Sequence, residues 1–197
     1  MALLTLTGIV TGRGQRVLVR GFALRLVAGE VVHLTGPNGT GKTTLLEVAA
    51  GLRRPWEGAV EAPAARHWLG HRNGLSGVLT PWENLEAWRQ LQADADGDLA
   101  DALQRLGVFA QRFRACRALS AGQRRRVALA RLRLAPRPVW VLDEPLDGLD
   151  HAGLNLFADL VAGHRRQGGA LLVTSHQPLP AGIGDVRTCA LGDACAS

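Results

Sequence analysis

The residues best equipped for chemistry lie in three short stretches. "GPNGTGKT", Gly36 to Thr43, sits between an apolar run and a helical pattern, and of 23 basic residues only its Lys42 is a lysine. Glycines at 36, 39 and 41 let successive N–H groups turn inward, and a following helix aims its positive end at the same point. An anionic polyphosphate suits such a cradle, with Lys42 reaching its β- and γ-phosphates and the Thr43 hydroxyl ligating Mg²⁺. The expected binding set is Gly36, Pro37, Asn38, Gly39, Thr40, Gly41, Lys42, Thr43 and Thr44. A slim ammonium on a flexible stem fits between loop and phosphates where the planar fork of an arginine does not. "VWVLDEP" closes on two carboxylates, Asp143 to hold the metal shell directly or through water, and Glu144 to polarise an attacking water. "LLVTSHQ" brings His176, whose imidazole can bond a γ-phosphate and sense its loss. Together these groups predict Mg²⁺-assisted attack of water on the γ-phosphate of a bound nucleotide.

Such groups work only if a scaffold brings them to one place. The runs at 30–36, 138–145 and 170–176 are apolar without alternation, which suits strands buried on both faces of a parallel sheet covered by helices. The fold class is therefore α/β. Residues 3–30 alternate more and carry glycine turns, and read as short antiparallel strands beside the main sheet. Residues 76–118 change character to helical. A helix start at Thr80 or Pro81 leads into Trp82, Leu85, Trp88 and Leu91 on roughly one face, and Leu99, Leu103 and Leu106 repeat the pattern. This reads as a helical subdomain inserted in the α/β core and extending into a helix over 119–135, all within a single domain spanning 1–197.

Composition narrows the classes. At 47% hydrophobic and 20% charged, the chain can bury a genuine core. No apolar run spans a bilayer, and the start lacks the order of a signal peptide, so the reading is a cytosolic chain. Cys116, Cys189 and Cys195 are odd in number with no C-x-x-C spacing, which argues against a disulfide framework and a zinc site. The net charge of +6 favours anionic partners. His33, His67, His71, His151 and His164 receive no catalytic role.

"LSAGQRRRVALARL", residues 119–132, resembles the signature motif of ABC ATPases, with Ala121 in place of one glycine. It is a small-residue turn opening a helix, where Ser120 and the Gly122 N–H can meet an anion. "EPLDGLD" looks like the D-loop of that family, closing on Asp150. The resemblance implies a P-loop fold with a mostly parallel core sheet, an antiparallel β subdomain and an inserted helical subdomain. It also implies a homodimer sandwiching two ATP molecules, with Ser120, Ala121, Gly122 and Gln123 acting on the partner's nucleotide. "WLGHRNGLSGVLTPWENLEAW", "ALSAGQRRRVALARL" and "GGALLVTSHQPL" are similar to the haem exporter ATPases of bacterial cytochrome c maturation. That likeness implies a peripheral subunit on the cytoplasmic face of the inner membrane. Its implied partner is the integral membrane permease of the cytochrome c maturation complex, with hydrolysis serving haem delivery or release of a haem chaperone.

Two positions depart from the family pattern. Where an aromatic ring usually stacks on adenine the chain has Arg13, whose guanidinium plane can stack instead. The place of the Q-loop glutamine holds Arg72, with Asn73 beside it able to turn an amide oxygen toward Mg²⁺ or water. The alternatives are the ATPase of another small ABC exporter, or a nucleic-acid-handling ABC ATPase. Relatives of the latter kind carry long insertions or a second fused domain that 197 residues cannot hold, so no nucleic-acid partner is expected.

Overall fold

The three uninterrupted apolar runs become neighbouring strands of one parallel sheet. The structure is a computed structural model that describes residues 1–191. Strands β1 (Ala2–Arg13), β2 (Arg16–Val27) and β4 (Glu57–Glu61) form an antiparallel sheet in the order β2-β1-β4. Strands β3 (Val31–Thr35), β5 (Arg66–Leu69), β6 (Val139–Asp143), β7 (Ala170–Thr174) and β8 (Arg187–Ala190) form the second sheet, in the order β5-β6-β7-β3-β8. Every pairing in that sheet is parallel. The helices are α1 (Lys42–Ala49), α2 (Pro81–Gln90), α3 (Leu99–Arg105), α4 (Ala121–Ala130) and α5 (His151–Arg166).

Every residue of β6 and β7 is buried. Because side chains alternate across a strand, each strand supplies two cores. Trp140, Leu142, Leu171 and Val173 join the core built with the helical residues Leu85, Leu103, Val127 and Phe157. Val139, Val141, Ala170 and Leu172 join the other, with Leu4, Leu24 and the α1 residues Leu45 and Leu46. The parallel sheet is thus sandwiched between a helical layer and a layer made of the antiparallel sheet and α1.

Helix α2 begins where its cap requires. Thr80 Oγ1 accepts from the Glu83 N–H at 3.2 Å and Glu83 Oε2 accepts from the Thr80 N–H at 2.8 Å, with Pro81 opening the first turn. Leu85 is fully buried and Trp82 and Trp88 pack half-buried against the same core, whereas Leu91 is 81% exposed. The expected four-residue face fails at its end because each step of three residues turns back about 60°, so the fourth position faces away from the first.

Strands β4, β5 and β8 lie outside the sequence reading. Four of the five β4 residues are exposed, so no apolar signal marks it. Cys116 is a buried free thiol. Cys195 lies outside the described residues. Among those residues no helix is long and apolar enough to cross a membrane.

Two histidines, His67 buried and His164 half-buried, tie the helical layer to the sheet. His67 on β5 places Nε2 3.0 Å from the Ala135 carbonyl, and His164 on α5 stacks on Trp140 with ring centroids 3.7 Å apart. Burial holds both imidazoles down at about 4 from the ordinary 6.5. The folded state therefore refuses a proton that the unfolded chain accepts. Stability should be level above pH 6.5 and fall as the pH drops toward 4, by up to about 3 kcal/mol for each histidine. Urea midpoints across that range should show this slope, and His67→Gln, which keeps a donor for Ala135, should flatten it by roughly half.

Candidate active site

Parallel pairing brings the three chemical stretches to one edge. The phosphate-loop sequence leaves the C-terminal end of β3, Asp143 ends β6 with Glu144 just after it, and Ser175 and His176 follow β7, the strand between them. Ligands of open parallel sheets bind at this edge. Here an open cleft of about 490 Å³ is lined by Arg13, Asn38, Gly39, Gly41, Lys42, Thr43, Thr44, Asp143, Glu144 and His176, together with Arg16, Leu18 and His71. Gly36, Pro37 and Thr40 complete the loop.

Gly41 caps α1 at φ 104°, and a Cβ there would also meet the Leu18 Cβ at 2.8 Å. No side chain bonds the N-terminal N–H groups of α1, which point out of the helix end at the cleft. Lys42 folds back over the loop, Nζ donating to Gly36 O at 2.6 Å and Pro37 O at 3.1 Å. The Thr40 hydroxyl also donates to Pro37 O, at 2.8 Å. The loop thus positions its ammonium with its own carbonyls.

Asp143 is 2% exposed, and both its oxygens are engaged. Oδ2 accepts from Thr43 Oγ1 at 2.8 Å and Oδ1 accepts from Thr174 Oγ1 at 2.7 Å. Thr174 Oγ1 in turn accepts the Glu144 N–H at 3.1 Å. Among the described residues Glu144 is the only non-glycine with positive φ, at 50°. Its Oε2 accepts the His176 backbone N–H at 2.9 Å, and Oε1 lies 3.6 Å from His176 Nε2. The imidazole itself is 58% exposed beside the cleft. The structure therefore places a carboxylate and a half-exposed imidazole together at the mouth of the phosphate loop.

The signature stretch stands elsewhere. Ser120 caps α4, its Oγ accepting from the Gln123 N–H at 3.1 Å while Gln123 Oε1 accepts from the Ser120 N–H at 2.9 Å. Ala121 and Gly122 form the first turn, whose N–H groups face out of the helix end. None of Ser120, Ala121, Gly122 and Gln123 lines the cleft that holds Lys42. Asp150 caps α5, accepting the Gly153 N–H at 2.8 Å. Asn73 is not brought to the cleft: its Oδ1 accepts from Arg125 Nη1 at 3.0 Å. Its loop neighbour His71 lines the cleft instead, with Nδ1 3.4 Å from Asp147 Oδ2.

Sequence reasoning missed Thr174, Arg125 and His71. Thr174 stands two residues before His176 at a strand end, a position where a hydroxyl signals a role in the site. Arg125 hides among Arg124 and Arg126, and only its burial singles it out.

Residues 19–147 match the family model for ABC transporters, and the chain belongs to that family of ATP-binding proteins. As a member it binds and hydrolyses ATP. It is 45% identical, over 88% of its length and 90% of the relative's, to the cytochrome c biogenesis ATP-binding export protein CcmA of Hyphomonas neptunium. It is 42% identical to the CcmA of Rhizobium johnstonii, over 89% of each chain. The fold is shared with a solved dimeric ATP-binding cassette in a post-hydrolysis state bound to ADP and Pi, at a TM-score of 0.75, 23% identity and 88% coverage of both chains.

Thr174→Val keeps shape but removes the donor to Asp143 and the acceptor for Glu144. It should cost about 1–3 kcal/mol of stability in urea melts. Steady-state kinetics should show kcat reduced by about tenfold, with KM for ATP changed less than about threefold.

Proposed function

We propose that the chain is the ATP-hydrolysing subunit of a cytochrome c biogenesis ABC transporter, seated on the cytoplasmic face of the membrane against an integral permease. The observation that carries this reading is the likeness to CcmA proteins along nearly nine-tenths of the chain. The same chain is proposed to pair with itself, two ATP molecules lying between phosphate loop and signature turn. That pairing is supported by the absence of Ser120 and Gly122 from the lining of their own cleft, which leaves their helix end to a second chain's nucleotide.

In this reading Lys42 exchanges the Gly36 and Pro37 carbonyls for β- and γ-phosphate oxygens, and the loop's N–H groups surround the same charge. The donor set fits Mg²⁺, since Thr43 Oγ1 and Asp143 Oδ2 are hard oxygens 2.8 Å apart. When bound, the ion neutralises charge growing on the phosphate oxygens. Glu144, fixed by the His176 N–H, takes a proton from the attacking water. The exposed His176 ring bonds the γ-phosphate and loses that partner on hydrolysis. Arg13 lays its guanidinium on the adenine. The helical segment around α2 and α3 is the surface offered to the permease, and release of haem or of its chaperone is the work that hydrolysis serves.

Glu144→Gln should lower kcat by at least about 100-fold and leave an ATP-bound dimer visible by size-exclusion chromatography. Turnover near wild type would remove Glu144 as the base. Affinity capture from solubilised membranes should recover an integral protein of cytochrome c biogenesis. A permease with no link to haem handling would overturn the assignment and leave the ATPase intact.

A further inference from the structure

Arg125 is the largest of the fully buried side chains, at 2% exposure. A guanidinium has five N–H donors in a fixed fork, and the structure provides an acceptor for each. Nε donates to Pro145 O at 3.0 Å. Nη1 donates to Gly70 O and to Asn73 Oδ1, both at 3.0 Å. Nη2 donates to Asp143 O at 3.0 Å and Glu144 O at 2.8 Å. Burial lowers the guanidinium to about 10, with Asp147, Asp143 and Glu144 opposing the shift, so it stays charged at neutral pH.

Three of those acceptors are consecutive carbonyls, 143 to 145, the backbone that carries Glu144 through its left-handed φ of 50°. One turn earlier on α4, Gly122 faces the continuation of that loop, and a Cβ there would meet Gly148 O at 2.5 Å. Residues three apart share a helix face, so α4 presses one face on the turn after β6 at two points. A buried cation whose five hydrogen-bond acceptors are all neutral, with carboxylates acting only from beyond them, is a poor stabiliser compared with an apolar side chain of similar volume. Its geometry is better suited to holding a backbone in a conformation that the local sequence does not favour.

We propose that Arg125 is a positioning residue for the reaction, clamping the 143–145 backbone so that the Glu144 carboxylate is set relative to the signature helix. The inference rests on the reading of Glu144 as the base.

The test uses the full chain with Arg125→Met, which keeps bulk and removes every donor, and Arg125→Lys, which keeps charge and donors on a different geometry. Melting temperature, ATP affinity by a fluorescent analogue, and kcat are measured for each. Arg125→Met should lose kcat by about 100-fold, the scale of an ångström misplacement, while ATP affinity stays within about threefold. Arg125→Lys should recover about tenfold of that loss. Three results would overturn the proposal: a lower melting temperature with kcat near wild type, an ATP affinity lost in proportion to kcat, or Arg125→Lys no better than Arg125→Met. If Arg125→Met is not recovered folded, Arg125→Gln, with two donors, is judged by the same measures. Glu144→Gln is run alongside. An active Glu144→Gln defeats the base reading itself, whereas an inactive Glu144→Gln beside an active Arg125→Met defeats only the clamp.

Discussion

One buried carboxylate, shared between two hydroxyls, holds the site together. Asp143 takes a hydrogen bond from Thr43 at the start of α1 and another from Thr174 at the end of β7. A carboxylate this deep is stable only with such donors, because desolvation of an unpartnered charge is severe. The Thr174 oxygen then receives the Glu144 N–H, so loop, acid pair and third strand form one connected polar network. Bonds in a chain of this kind polarise one another, and a loss at one member reaches the others. The parallel order that makes β6, β7 and β3 neighbours is what allows the network to close.

Beside that network the backbone bears strain. Glu144 adopts a φ that costs a side-chain-bearing residue on the order of 1–3 kcal/mol. Glycine would relieve the cost, but it would also remove the carboxylate that accepts the His176 N–H. The surroundings over-determine the turn: the Thr174 hydroxyl receives its N–H, the His176 N–H fixes its side chain, and Arg125 holds three successive carbonyls.

What could be read from the sequence follows from the range of the interactions involved. Strands β3, β6 and β7 were legible because burial on both faces leaves an apolar run, and α2 because a capping box is local. Strand β4 was not, since four of its five residues face solvent and only Val60 packs on the core, the rest being held by pairing to β1. The phosphate loop, the acid pair and His176 were legible as contiguous motifs with strand and helix in the right order. Arg125 was not, because its partners lie 18 to 20 residues ahead and 52 to 55 behind, and nothing local separates it from the arginines on either side. The exchange of Asn73 for His71 at the cleft has a similar cause: loop residues two apart carry no periodicity to say which one turns inward.

The alternation of β6 and β7 between two cores has a consequence for how errors are tolerated. A slip of one residue in β6 would send Trp140 and Leu142 to the side built for Val139 and Val141, and would rotate Asp143 away from both threonines in the same move. Mispaired chains therefore lose their packing and their polar network together. No half-built version with a sound core and a misaimed acid is available, so the sheet acts as its own proofreader, and a folded chain carries its acid facing the right way.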